Sequence, residues 1–237
     1  MRLLPYFLFY CLSVLSQAPS YQFQHFGINE GLSQISLHDL EFDKTGHLWI
    51  ATNNGVNRFD GQRFVNFQQA IDTTQNSLVF NEVSHIIEDQ EGYMWFGTRQ
   101  GLSKYDPRTK KFKNFKYQKD CDTCLIHPAV TFLKERGEFI YIGTVGGLSR
   151  IHKKTHKISS WRYREGIANG PKRTAIRELE FLDDGRLLII SQVGISLFNP
   201  KSETFHHITT ADGLPEDKLQ SIYKDTNNTY WIEILLI

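Results

Sequence analysis

The stretch from Gly46 to Asp60, G-H-L-W-I-A-T-N-N-G-V-N-R-F-D, returns along the chain. Gly92 to Asp106 reads G-Y-M-W-F-G-T-R-Q-G-L-S-K-Y-D. Gly137 to His152 reads G-E-F-I-Y-I-G-T-V-G-G-L-S-R-I-H, with one residue added, and Gly185 to Asn199 reads G-R-L-L-I-I-S-Q-V-G-I-S-L-F-N. A fifth copy opens at Asn228 as N-T-Y-W-I and runs into E-I-L-L-I. Aligned on Trp49, Trp95, Tyr141, Leu188 and Trp231, the copies step by 46, 46, 47 and 43 residues. A period of that size, with strands inside each unit, confines the chain to a radial or stacked repeat array.

Each unit resolves into strands and turns. Leu48 to Thr52 and Met94 to Thr98 are short, apolar and rich in aromatic or β-branched residues, with turn signals on both sides, so they read as buried strands. A D-x-x-G or its relative precedes each: Asp43 to Gly46, Asp89 to Gly92, Leu182 to Gly185. The glycine supplies the positive φ of a tight hairpin, and Asn228 takes that place in the fifth copy. A second turn ends at Gly55, Gly101, Gly147 or Gly194, and a third strand follows. A third turn carries D-G, D-P, H-K-K or N-P, and the fourth strands are Phe64 to Phe67, Phe112 to Phe115, Ile158 to Trp161 and Phe205 to Ile208. Ahead of the first turn, Leu37, Leu40 and Phe42, then Val83, Ile86 and Ile87, then Ile176, Leu179 and Phe181 mark another strand. Four antiparallel strands per unit make a propeller blade. The expected fold is all-β: a β-propeller of four complete blades (33–67, 79–115, 128–161 and 174–208) and the start of a fifth over 217–237.

Residues 1–20 lie outside this pattern. One cation, Arg2, precedes an apolar run from Leu3 to Leu15 and then Ser-Gln-Ala-Pro-Ser, the form of a secretory signal peptide cleaved near Ala18 or Ser20. A membrane anchor is the alternative, but the run is about 13 residues where a span takes about 20. Net charge is +1 and no basic block exceeds Lys110-Lys111 or Lys153-Lys154, which argues against a nucleic-acid partner.

Phe23 to Ser33, F-Q-H-F-G-I-N-E-G-L-S, matches Phe205 to Pro215, F-H-H-I-T-T-A-D-G-L-P. The N-terminal segment therefore reads as a displaced fourth strand, of the kind that closes a propeller ring. The units resemble the two-component regulator propeller repeat, D-x-x-G-x-x-W-I-G-T-x-x-G-L-x-R-Y-D. The opening from Phe23 to Gly61 is similar to the N-terminus of hybrid two-component sensors of Bacteroidetes-type bacteria. The resemblance covers nearly all of the mature chain. It implies a periplasmic sensor propeller followed by a membrane helix, a histidine kinase and a DNA-binding part, with glycans or their breakdown products as common ligands.

The departures shape the expectation. Copy four has Leu188-Ile189-Ile190-Ser191 for W-I-G-T and Leu197 for the basic residue, and Glu233 follows Trp231-Ile232 where Gly-Thr belongs. No kinase motif is present, so no catalytic residue and no cofactor is expected, and membrane attachment would come only through a missing C-terminal part. The tail E-I-L-L-I reads as a frameshift or truncation product. An open array exposes two apolar blade faces and a strand edge, so self-association, a homodimer or completion by a partner is expected.

The repeated acids Asp43, Asp89, Asp183 and Asp225 read as turn residues rather than catalytic carboxylates, since they recur with a turn glycine. Trp49, Trp95 and Trp231 could stack on sugars, but their phase in a strand favours the blade core. Arg58, Lys104 and Arg150 recur in the third strand, with a solvated or cross-strand role ahead of a channel-lining one. Cys121-Asp122-Thr123-Cys124 fits a local disulfide in an exported protein; free thiols, metal and redox chemistry are the alternatives, and zinc would want further ligands. No metal site is expected. Asn53, Asn54, Arg99 and Gln100, in the second turns, are candidate ligand contacts. Three functions remain: a sensing module for a saccharide or other small ligand, a periplasmic interaction scaffold, and a propeller lyase or glycosidase. The first is preferred.

Overall fold

A lone five-residue strand leaves its backbone groups unpaired, and several such strands satisfy one another only edge to edge. The computed structural model describes residues 22–72, 76–162, 170–171 and 175–234. In it β1 (Leu37–Phe42), β2 (Leu48–Thr52), β3 (Gly55–Phe59) and β4 (Phe64–Phe67) pair in that order as the first antiparallel blade. The second blade is β5 (Val83–Glu88), β6 (Met94–Thr98), β7 (Gly101–Asp106) and β8 (Lys111–Phe115). The third is β9 (Val130–Arg136), β10 (Phe139–Thr144), β11 (Gly147–His152) and β12 (Ile158–Arg162). The fourth is β13 (Ile176–Phe181), β14 (Leu187–Ser191), β15 (Gly194–Asn199) and β16 (Thr204–Ile208), and β17 (Leu219–Lys224) with β18 (Tyr230–Ile234) opens a fifth. The all-β propeller architecture read from the repeats is the one found. The leader expected over 1–20 lies outside the described residues.

The apolar core sits between blades. Each inner strand (β5, β9, β13, β17) packs on the inner and second strands of the blade before it. At the first boundary Trp49, Ala51 and Val56 meet Val83, Ile86, Met94 and Phe96 in one buried cluster, and clusters of the same kind fill the other three boundaries. This packing explains the glycine in W-x-G-T. A Cβ on Gly97 would lie 2.7 Å from Val130 Cγ1, and one on Gly143 would lie 2.7 Å from Ile176 Cγ2.

The turns are locked by their own side chains. Thr52, Thr98, Thr144 and Ser191 each donate a hydroxyl to the carbonyl of the glycine three residues on, at 2.9, 2.9, 2.7 and 3.0 Å. In the first turns, Asp43 Oδ1 accepts the Thr45 and His47 amides at 2.9 and 3.0 Å, while Oδ2 accepts the Trp49 indole at 2.8 Å. Asp89 and Asp225 hold Trp95 and Trp231 in the same way, at 2.8 and 2.9 Å. Asp183 does not belong to this set. Leu182 stands at the register of Asp43, Leu188 at that of Trp49, and Asp183 instead pairs with Lys224 at 2.5 Å. Acid and indole are absent together in that blade.

The likeness between the N-terminal segment and the one after β16 holds in three dimensions at the turn. Ile28–Glu30 and Thr210–Asp212 are matching 3-10 turns, each followed by a left-handed glycine. Glu30 accepts the Gly27 amide at 2.6 Å and Asp212 accepts the Thr209 amide at 3.0 Å. Residues 22–26 join no sheet among the described residues. Phe26 packs instead on Phe59 and Phe64, with ring centroids 4.9 and 6.0 Å away.

Candidate functional site

The inner strands bury one set of side chains at the blade boundaries and leave the residues between them partly open. His38, Ser84 and Thr131 each follow the first residue of their strand, so the three occupy one register across neighbouring blades. With the turns after β6 and β10 they border a cleft of about 520 Å³. Glu82, Arg99 and His127 complete its polar rim, and Val83, Val130 and Val145 supply apolar wall.

Each polar group has a definite state. The Arg99 amide donates to the Glu82 carbonyl at 3.0 Å, and its guanidinium meets the Glu82 carboxylate at 3.1 Å. That ion pair is largely exposed, so it is weak and open to competition. His127 Nδ1 accepts the Ala129 amide at 3.1 Å, which leaves the proton of the neutral ring on Nε2 as a donor. Burial, followed by the Arg162 charge, holds the His127 pKa below the ordinary histidine value. Ser84 donates to the Val130 carbonyl across the blade boundary at 2.7 Å. The Thr131 hydroxyl is shielded from solvent and has no hydrogen-bond partner among the described residues. His38 Nε2 lies 2.6 Å from Asn53 Oδ1 at the rim.

Further along the same strands, carboxylates fasten blade to blade. Asp39 Oδ2 accepts the Ile86 amide at 2.7 Å, and Glu178 Oε2 accepts the Ile222 amide at 2.8 Å. Burial pushes the Glu178 carboxyl above its ordinary range. Lys134 and Glu180 pair at 2.6 Å across the third boundary. His85 Nδ1 lies 3.6 Å from Asp39 Oδ2 with its ring 4.0 Å from that of Phe132, and burial depresses its pKa against the pull of Asp39.

Of the second-turn candidates, Arg99 lines the cleft and Asn53 touches His38. Asn54 and Gln100 serve their own turns, donating amides to Thr52 and Thr98 at 3.0 and 3.2 Å. His38, Glu82, Ser84 and Thr131 were not singled out from the sequence. For His38, Ser84 and Thr131 the signal was faint: a polar residue directly after the apolar one that opens each inner strand.

Trp49 and Trp95 are fully buried, while Trp231 is 62% exposed. Arg58, Lys104 and Arg150 pair across strands with Trp49, Trp95 and Tyr141. Lys104 lies over the Trp95 ring, 5.0 Å from its centroid, and reaches the Lys153 carbonyl of the next blade at 3.2 Å. Arg150 reaches Glu203 of the next blade at 2.8 Å. These cations are cross-strand and inter-blade ties, and none lines the cleft. A disulfide joins Cys121 to Cys124, with Cα atoms 5.5 Å apart, in the loop between the second and third blades. Among the described residues no group of three or more His, Cys, Asp or Glu side chains is placed to hold a metal.

The two-component regulator propeller model matches residues 77–100, which run through β5 and β6 into the second turn. The chain is 43% identical over 58 residues to histidine kinase P4 of Formosa agariphila, a span of 24% of this chain and 4% of that kinase. An extracellular domain assigned to a hybrid two component system from B. thetaiotaomicron superposes with a TM-score of 0.76 at 26% identity, covering 88% of this chain and 29% of that one. One assigned to a one component system from the same organism gives 0.68 at 20% identity, covering 84% and 28%. The chain thus spans less than a third of the length of each of these relatives. The repeated turns, the blades they build and these likenesses make the chain similar to two-component regulator propellers, with the family model matched over residues 77–100.

Proposed function

We propose that the chain is the ligand-sensing propeller of an exported two-component signalling protein, and that it takes a saccharide or another small polar ligand in the cleft above β1, β5 and β9. The observation that carries this reading is the unpartnered Thr131 hydroxyl beside Arg99 and His127 over an apolar wall. A ring that is polar at its edge and apolar on its face meets donors from Arg99 and His127, acceptors from Glu82 and Thr131, and valine side chains beneath. The exposed Arg99–Glu82 pair gives way to ligand groups at little cost. The likeness to extracellular domains of two-component systems supports a periplasmic setting, reached through the leader at 1–20. Glu82 is the one carboxylate among the described lining residues, whereas a glycosidase places two across its substrate.

The test is calorimetric titration of the chain with a panel of neutral and acidic oligosaccharides and amino acids. Binding by at least one class, weakened about tenfold or more by Arg99→Ala and by Thr131→Val, is expected. Binding that both substitutions leave unchanged, or a panel without a binder, removes the cleft from consideration.

A further inference from the structure

The turns at one end of the blades carry acids in a fixed pattern. Asp43, Asp89 and Asp225 hold one register, and each accepts an indole N–H. Asp60 and Asp106 hold another at the head of the third turn, where each accepts the amide two residues on. The corner between the third and fourth blades breaks both. Arg136 stands at the register of Asp43, since Tyr141 pairs with Lys134 as Trp49 pairs with Glu41. Tyr141 takes the place of the indole, and an arginine side chain has no oxygen to accept from its hydroxyl. Asn199 stands where Asp60 and Asp106 stand, its Oδ1 accepting the Lys201 amide at 3.0 Å. Arg136, Tyr141 and Asn199 border one pocket of about 420 Å³ together with Asp184, Arg186 and Lys201. Tyr141 is only 3% exposed, its ring lies in the buried cluster of the third boundary, and its hydroxyl has no hydrogen-bond partner among the described residues. The Arg136 guanidinium lies 4.6 Å from the centre of the Phe181 ring and reaches the Leu182 carbonyl at 3.5 Å, so it is held in place without a counter-charge. Lys201 makes no ion pair among the described residues. Arg186 is paired with Asp184 at 2.7 Å, but both are about half exposed, and such a pair is weak. Asp183, also on the wall, is taken up by Lys224 at 2.5 Å.

We propose that this corner binds a small oxyanion: a phosphate or sulfate group, free or carried as an ester on a small molecule. The groups it offers are donors. Arg136 presents a fork suited to two oxygens of one anion, Lys201 adds a point charge, and the Tyr141 hydroxyl donates from the buried end. Arg186 joins them by exchanging Asp184 for the ligand. A tetrahedral oxyanion presents acceptors in several directions, which matches donors that converge from two blades. A neutral sugar needs acceptors for its own hydroxyls, and the acids here are already matched by Arg186 and Lys224. The pocket lies between two complete blades and shares no lining residue with the cleft above β1, β5 and β9.

The test is calorimetric titration of the chain with inorganic phosphate, inorganic sulfate and glucose 6-phosphate, at an ionic strength fixed with sodium chloride. At least one of the three should bind. Arg136→Gln, on an exposed side chain, should weaken that binding at least about tenfold, and Tyr141→Phe at least about threefold. Tyr141→Phe removes one oxygen and keeps the ring in the core, so thermal melting should be unchanged and the loss read as a lost contact. Lys218→Gln, which removes an exposed cation ahead of β17, should leave binding as it was. An ester that binds about tenfold more tightly than either free ion would name a small-molecule ester as the ligand, and equal binding would name the free ion. No binding by any of the three probes overturns the proposal. So does binding that Arg136→Gln or Tyr141→Phe leaves unchanged, or that Lys218→Gln weakens as much as they do. Because the two sites share no residue, failure of the cleft leaves this result standing, and failure here leaves the cleft.

Discussion

The Asp89 carboxylate accepts the indole N–H of Trp95 at 2.8 Å, and neither side chain touches solvent. The same carboxylate accepts the Tyr93 amide at 2.9 Å, so one residue closes the turn and anchors the largest side chain of the blade core. Asp89→Leu would leave the indole donor buried without an acceptor, at a cost of about 1–3 kcal/mol. Trp95→Leu removes bulk and costs about 3 kcal/mol or more. Combined as Asp89→Leu and Trp95→Leu, the pairing that Leu182 and Leu188 already make in the fourth blade, the losses should fall short of their sum by about 1 kcal/mol. Urea unfolding of the single and double variants measures that difference, and strict additivity would mean that acid and indole act independently.

Asp43 links the same kind of pair to pH. Burial alone would raise its pKa, but hydrogen bonds from Thr45, Trp49 and His47 outweigh burial and hold it below the ordinary 3.8. The unfolded chain therefore binds this proton more readily than the folded one. The stability that Asp43 contributes is complete above the ordinary value and is lost as pH falls through the lower folded value. Urea midpoints should drop as the medium is acidified below about pH 4, and Asp43→Asn should flatten that dependence. A variant with the same acid slope as the parent chain would show that other groups set it.

At Gly97 the second and third blades approach closely, since a Cβ there would lie 2.7 Å from Val130 Cγ1. Gly97→Ala should overpack the boundary against Val130 and cost about 1–3 kcal/mol. Val130→Ala in the same chain should recover part of the loss. Thermal melting of both variants decides, and a neutral Gly97→Ala would mean that the boundary gives way without strain.

Asp39→Ala should strip the Ile86 amide of its acceptor across the first boundary. The expected loss is about 1–3 kcal/mol, and the local signature is faster hydrogen exchange at Ile86 than at the strand-paired amides around it. Unchanged protection at Ile86 would mean that the carboxylate is not what joins these blades.

Much of this architecture was legible beforehand because it is local. A glycine that closes a turn, such as Gly46 after Asp43, acts on residues a few places away, and a five-residue apolar run between two such turns has little option but a strand. The blade pattern followed from repetition of those signals. The acids were legible as turn residues, but Asp183 was grouped with them although Leu182, which heads its turn in the sequence, holds the register of Asp43. The indole partner of Asp43 went unseen, since a gap of six residues across a hairpin carries no contact until the hairpin is formed.

The cleft lay further out of reach. Of its rim, Arg99 was named from the sequence as a turn residue, and Glu82, Ser84 and Thr131 were not. His38, Ser84 and Thr131 are separated by about one repeat each and come together only because consecutive inner strands pack side by side. The sequence by itself determined the period, the strands and the turns, since these depend on steric and hydrogen-bonding preferences within a few residues. The tertiary structure alone decided which side chains meet across a blade boundary and why a side chain at Gly97 would crowd Val130 there. Those outcomes depend on the neighbouring blade, and the neighbour is specified by packing between segments distant along the chain.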